Sequence, residues 1–224
     1  MNLNEPGSAE FIRYLVVFAL YGIVAARTGF DSINPISVAT FQCLKNKGHD
    51  FFIARINDYD LVGIQNIKNA RAAGFTDFDA YIYPCLTPGK PAGANQVEAV
   101  IDKLNEEGAT IGTLWLDIED VDNNREWPSN KNQNQNFIRG MADAAEGKEV
   151  RVGIYTQQSI WPDIVGSGTA MSKYPLWWSR YNNDAGFGKF VPFGGWSTAE
   201  IHQYDGDVKN PPCGLKDMDL NYKD

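Results

Sequence analysis

Residues 112–127 read GTLWLDIEDVDNNREW, from Gly112 to Trp127. The first half has the texture of a buried strand, yet it runs into two carboxylates two positions apart. Side chains on a strand alternate between its faces. Leu114, Leu116 and Ile118 therefore share one wholly aliphatic face. Thr113, Trp115, Asp117 and Glu119 share the other, which becomes acidic toward its C-terminal end. A strand buried on both faces belongs in a parallel sheet, and the acids mark the end where such a sheet carries chemistry.

Working outward, short apolar runs alternate with helical patterns. Strands are expected near Thr28–Asp31, Phe51–Ile56, Asp79–Tyr83, Thr113–Glu119 and Arg151–Tyr155. Helices are expected between them, near Ser37–Lys47, Ile64–Ala73, Gln96–Glu106 and Asn132–Ala145. Val97, Val100, Ile101 and Leu104 fall on one helical stripe. This alternation predicts βαβ units. After Tyr155 the pattern thins to a short helix near Ser159–Ile164, then strands at Leu176–Tyr181, Ile201–Tyr204 and Met218–Tyr222, with Gly- and Pro-rich loops between. About eight strands and five helices make a modified TIM-type (β/α) barrel, an α/β fold whose last third is poor in helix. A single barrel domain over residues 27–224 accounts for the length.

In such a barrel, inward residues at the C-terminal strand ends form the active face. Asp117 and Glu119 lie at one such end and Asp31 at another. Asp219, on the last strand, comes beside the first when the barrel closes. Two nearby carboxylates raise one another's pKa. A protonated Glu beside an ionised Asp is suited to cleaving a glycosidic bond. WWSRYNND (Trp177–Asp184), Trp127 and Tyr155 supply aromatic faces for sugars. The Asn/Gln-rich stretch Asn123–Asn136 is expected to overhang the mouth and offer amides.

Other chemistries fit less well. The net charge of -8 and pI near 4.8 argue against a nucleic-acid partner. Two histidines and no HExxH disfavour a zinc site or a Ser-His-Asp triad. His202 reads as a partly buried strand residue. DGDVKN and DMDLNYKD lack the glycine of an EF-hand loop, so no metal or other cofactor is expected. PGKPAG has the wrong spacing for a phosphate loop.

Residues 1–26 stand apart. The apolar run Leu15–Ala26 is shorter than the roughly 20 residues of a membrane span. With Arg13 before it and Val24-Ala25-Ala26 at its end, it fits a secretory signal. The acidic leader before it, with GSAEF (Gly7–Phe11), has the character of a vector-derived start. Three cysteines, Cys43, Cys85 and Cys213, suit one disulfide and one free thiol, and the sequence leaves the pairing open.

TGFDSIN, LWLDIED, VGIYT, WWSRY, IHQYDGD and MDLNY occur in the order and approximate spacing of glycoside hydrolase family 25, the Chalaropsis-type lysozymes, which the chain resembles over nearly all of its length after Arg27. FQCLKN and YIYPC resemble the members found in amoebae and related eukaryotes. The resemblance implies an eight-stranded, five-helix barrel. It also implies hydrolysis of the β-1,4 bond between N-acetylmuramic acid and N-acetylglucosamine in bacterial peptidoglycan. By motif, Glu119 would be the general acid. Asp117 would orient the substrate's own N-acetyl group for attack on the anomeric carbon. Asp31, Asp219, Tyr155, Trp178 and Tyr181 would bind and shape the substrate. The departures, SRY after Trp178 and Ser-Ile within GFDSIN, leave the carboxylates untouched. The signal in residues 1–26 points to a secreted protein or one in a lysosomal or phagosomal compartment, with no membrane span, and a monomer is expected. A non-catalytic glycan-binding barrel and a chitin-cleaving glycosidase are the alternatives. Lysis of cell walls separates the first from a hydrolase, and chitin tested beside peptidoglycan separates the second.

Overall fold

The computed structural model describes residues 26–57, 61–120 and 127–224. The leader and signal reading of residues 1–26 therefore lies outside the described residues, apart from Ala26. Eight strands close a barrel in sequence order. They are β1 (Arg27–Ser32), β2 (His49–Arg55), β3 (Phe78–Ile82), β4 (Thr113–Asp117), β5 (Arg151–Thr156), β6 (Leu176–Ser179), β7 (Ile201–Asp205) and β8 (Asp219–Lys223). Strands β1 to β7 pair in parallel. Strand β8 runs antiparallel to both β7 and β1 and closes the ring.

The helices are α1 (Val38–Asn46), α2 (Val62–Ala72), α3 (Gly93–Glu106), α4 (Lys131–Gly147) and the short α5 (Trp161–Val165). Beyond α5 there are only short 3₁₀ turns at Ala170–Lys173 and Pro212–Gly214, matching the helix-poor last third expected from the Gly- and Pro-rich sequence. The polar residues that begin helices do so by physical capping. Ser37 accepts from the Thr40 N–H at the start of α1, and Asn130 accepts from Asn132 and Gln133 at the start of α4.

Alternation along each strand separates two apolar clusters. Phe30, Phe52, Ala80, Leu114, Leu116 and Ile154 face outward into the layer beneath the helices. Phe51, Ile53, Trp115, Tyr155, Trp177 and Ile201 fill the barrel itself. Trp115 lies across the interior because β5 carries Gly153 opposite it. A Cβ there would sit 2.3 Å from the indole. Polar tips in this interior find partners, as buried groups must. Trp115 Nε1 donates to Asp79 at 3.0 Å and Trp177 Nε1 to Asn221 at 2.8 Å.

Cys43 on α1 and Cys213 in the loop before β8 form a disulfide, which resolves the pairing; Cys85 is free. The bridge ties the segment that returns the chain antiparallel to the first helix. His202 is fully buried, deeper than its sequence suggested. It stacks on Trp178 at 4.1 Å, and its ring nitrogens lie 2.7 Å from the Gly186 carbonyl and 3.0 Å from that of Arg180. Among the described residues, no helix is long and apolar enough to cross a membrane.

Candidate active site

Strand β4 brings Thr113, Trp115 and Asp117 to the barrel interior. Its ladder ends at Asp117, two residues before Glu119. The extended path continues because its backbone is held from three sides. Ile118 N–H donates to the Tyr155 carbonyl at 2.9 Å, and the Thr156 hydroxyl donates to the Ile118 carbonyl at 2.7 Å. The Trp127 indole N–H donates to the Glu119 carbonyl at 2.9 Å. Glu119 thus keeps to the inner face beyond the strand proper.

Asp31 arrives from the C-terminal end of β1. Asp219 faces it in register but comes from the first residue of β8. The expectation that mouth residues occupy C-terminal strand ends fails for this residue. Because β8 is antiparallel, its N-terminal end is the one that reaches the mouth. The four carboxylates lie close enough to act on one another. Burial first, then the charge of Asp219, raises Glu119 from 4.5 to about 7. Burial raises Asp219 from 3.8 to about 6; the Asp207 N–H opposes this, while Asp217, Asp207 and Asp205 add to it. Asp31 is held well above the ordinary carboxyl range by burial and Asp219, against hydrogen bonds from Asn221 and Gln203. Asp117 is raised by burial, Glu119 and Asp31, and lowered by Arg55. Interacting groups of this kind titrate as a set. Within it, burial favours the protonated form of both Asp117 and Glu119, and Arg55 opposes this at Asp117. Asp117 Oδ1 is buried and accepts no hydrogen bond.

Gln203, on β7, joins this set to the aromatic side of the mouth. Its Nε2 donates to Asp31 at 2.9 Å and Asp219 at 3.3 Å, while Oε1 accepts from Tyr155 at 2.7 Å and Tyr181 at 3.1 Å. Asn221 adds a 2.7 Å bond to Asp31. Tyr155 and Tyr181 therefore border the acids, and Tyr181 is 57% exposed at the rim, its ring packed against Gly206.

Trp178 does not join them. Trp177 points into the barrel, so its neighbour on β6 must point out; Trp178 is buried on the outer layer between His202 and Phe190. The amide-rich stretch also differs from expectation. Residues 123–126 lie outside the described residues, and most of the rest forms the start of α4. Asn134 and Gln135 there bond backbone carbonyls of Pro128, Ile164 and Val165 rather than facing the mouth.

Gln203, Asn221, Arg55 and Tyr81, which packs on the interior cluster and whose phenol is raised by burial and then by Asp31 and Asp117, were missed by sequence reasoning. Gln203 and Tyr81 carried the same signal as Asp117, an inward position near the end of a barrel strand, but neutral residues attract less notice. Carboxylate oxygens of Asp207, Asp217 and Asp219 lie within 4.8 Å of one another. Asp217 already accepts from Ile33 N–H and Ser32, and Asp219 from Asp207 N–H, so these acids tie the β7–β8 loop to β1.

Residues 24–204 match the family described as "Lysozyme-like protein 1". The chain is 44% identical to "Lysozyme-like protein 5" of Caenorhabditis elegans, over 89% of this chain and 93% of that protein. It is 36% identical to "Probable GH family 25 lysozyme 2" of Dictyostelium discoideum, over 95% of this chain and 99% of the relative. In fold it resembles a muramidase from Acremonium alcalophilum, with a TM-score of 0.68 at 21% identity, covering 88% of this chain and 93% of the other. With sequence matches of this extent and the same barrel architecture, the chain belongs to the glycoside hydrolase family 25 lysozymes.

Proposed function

We propose that the protein is a muramidase that cleaves the β-1,4 bond after N-acetylmuramic acid in bacterial peptidoglycan, using Glu119 and Asp117. The observation that carries this reading is the convergence of Glu119 and Asp117 with Asp31 and Asp219 at one mouth. Glu119 is raised to about 7, so it holds a proton at mildly acidic pH. Beside it, Asp117 presents a buried oxygen with no donor. That oxygen suits the N–H of a substrate acetamido group.

In the proposed sequence Glu119 gives its proton to the bridging oxygen as the C1–O bond breaks. The acetamido oxygen of the same sugar bonds to C1 from the opposite face, with Asp117 accepting the acetamido N–H and stabilising the positive charge. Water then attacks C1, the acetamido oxygen leaves, and the Glu119 carboxylate takes the water's proton. Two displacements at C1 retain the anomeric configuration. Asp31 and Asp219, fixed by Gln203 and Asn221, border the sugar with oriented polar groups on the side where an oxocarbenium-like transition state develops charge. Tyr155 and Tyr181 border the sugar.

The organisation we propose is a leader and signal in residues 1–26 and one catalytic barrel in residues 27–224. Secretion or delivery to a lysosomal or phagosomal compartment follows from that signal, and the disulfide fits an oxidising route. Proton NMR of the freshly released ends tests the mechanism: the β-anomer should appear first and mutarotate. The α-anomer appearing first would refute substrate assistance while leaving hydrolysis standing.

A further inference from the structure

A second concave feature lies on the same side of the barrel as the acids. The loop leaving β3 and the first turns of α4 enclose a cavity of about 220 Å³. Both walls are preformed. Gln96 clasps the loop: its Oε1 accepts from Cys85 N–H at 2.8 Å, and its Nε2 donates to the carbonyls of Cys85 and Pro91 at 2.9 Å each. On the other wall, Phe137 meets Trp127 edge to face at 5.9 Å. Its ring also packs so closely on Gly93 that a Cβ there would lie 2.8 Å away.

Trp127 links this cavity to the acids. Its ring forms part of the wall, and its N–H holds the Glu119 carbonyl. Asn134, 1% exposed, also lines the cavity. Its Nδ2 donates to two carbonyls, Pro128 and Ile164, both at 2.8 Å, which fixes the orientation of the amide. Its Oδ1 is left buried without a donor.

We infer that this cavity is an accessory subsite for one N-acetylated sugar of the glycan strand, outside the pair of sugars whose bond is broken. The inference rests on the reading that the mouth cleaves such a strand. An acetamido group matches the walls: its methyl for Pro88 and Phe137, its carbonyl for the side-chain amide of the exposed Gln133. Trp127 offers an aromatic face to the ring. The volume lies below the roughly 300–1,000 Å³ of pockets for drug-sized ligands, so it suits one sugar unit rather than a chain.

Cys85 is the free thiol and lines the cavity, so it reports on occupancy. The experiment follows alkylation of Cys85 by iodoacetamide with and without tri-N-acetylchitotriose, in the wild type and in Gln133→Ala, an exposed helix position. The sugar should slow alkylation several-fold. Gln133→Ala should shift half-protection by about tenfold, the worth of one hydrogen bond, and raise KM on peptidoglycan with kcat little changed. Glu119→Gln should still be protected. Alkylation unaffected by the sugar, protection undiminished in Gln133→Ala, or protection by a free stem peptide in place of the sugar would overturn the subsite. Failure of the muramidase reading would show separately, as no new reducing ends from peptidoglycan with the unmodified wild type.

Discussion

Glu119→Gln should make the protein more stable at pH 8 while removing its activity. The carboxyl is nearly isosteric with the amide, so packing changes little. The energetic difference lies in the charge. In the unfolded chain Glu119 ionises near 4.5, whereas in the folded barrel burial and Asp219 hold it near 7. Between those values the native state binds the extra proton, so stability falls as pH rises through that window. The interval corresponds to about 3 kcal/mol at 1.36 kcal/mol per pH unit. Relief of Asp117, which the Glu119 charge also raises, acts in the same direction. For a barrel of this size, 1 kcal/mol moves Tm by about 2–4 °C, so the variant should melt roughly 5–10 °C above wild type at pH 8. At pH 4, where Glu119 is protonated, the two curves should nearly coincide. Thermal unfolding by circular dichroism at both pH values, with peptidoglycan turnover measured alongside, reads the result. Equal melting temperatures at pH 8, or the same gap at pH 4, would refute the account of a strained, charge-penalised acid.

Three further outcomes follow from the same geometry. Hydrolysis should decline on the alkaline side with an apparent pKa near 7, where Glu119 loses its proton; a rate constant up to pH 9 would contradict its role as acid. Gln203→Met should remove one donor each from Asp31 and Asp219 and the acceptor that Tyr155 and Tyr181 share. It should cost about 2–4 kcal/mol in urea unfolding and lower kcat, and an unchanged kcat would show that the network is only structural. The double variant Cys43→Ala/Cys213→Ala opens a link between residues 170 positions apart, so denaturant unfolding should show a loss of about 2–5 kcal/mol; loss below 1 kcal/mol would mean that the unfolded chain is not much constrained by the bridge.

The barrel was legible because its strands announce themselves by alternation and its helices by stripe. GTLWLDIED alone predicts one face for the helices and one for the interior, and Leu114, Leu116, Trp115 and Asp117 divide in that way. The reversal of β8 was not legible. A strand's direction depends on how the chain returns, and the loop before Asp219, tied to α1 through Cys213, carries no local signal of it. Trp178 was misplaced for a different reason. Two adjacent tryptophans offer no hint of which faces inward until the register of β6 against β5 and β7 is known. Gln203 was hidden because an amide draws attention only when its partners are visible, and those partners come from β1, β5 and β8 together with Tyr181, the second residue beyond β6.

The central claim is that Glu119 drives cleavage after N-acetylmuramic acid. Its most direct test is the identity of the new chain end. Purified peptidoglycan is digested with wild type and with Glu119→Gln, the products are reduced with borohydride, and the reduced sugar is identified by mass spectrometry. The account predicts reduced N-acetylmuramic acid from the wild type and none from the variant. Reduced N-acetylglucosamine from the wild type, or undiminished release by the variant, would contradict it.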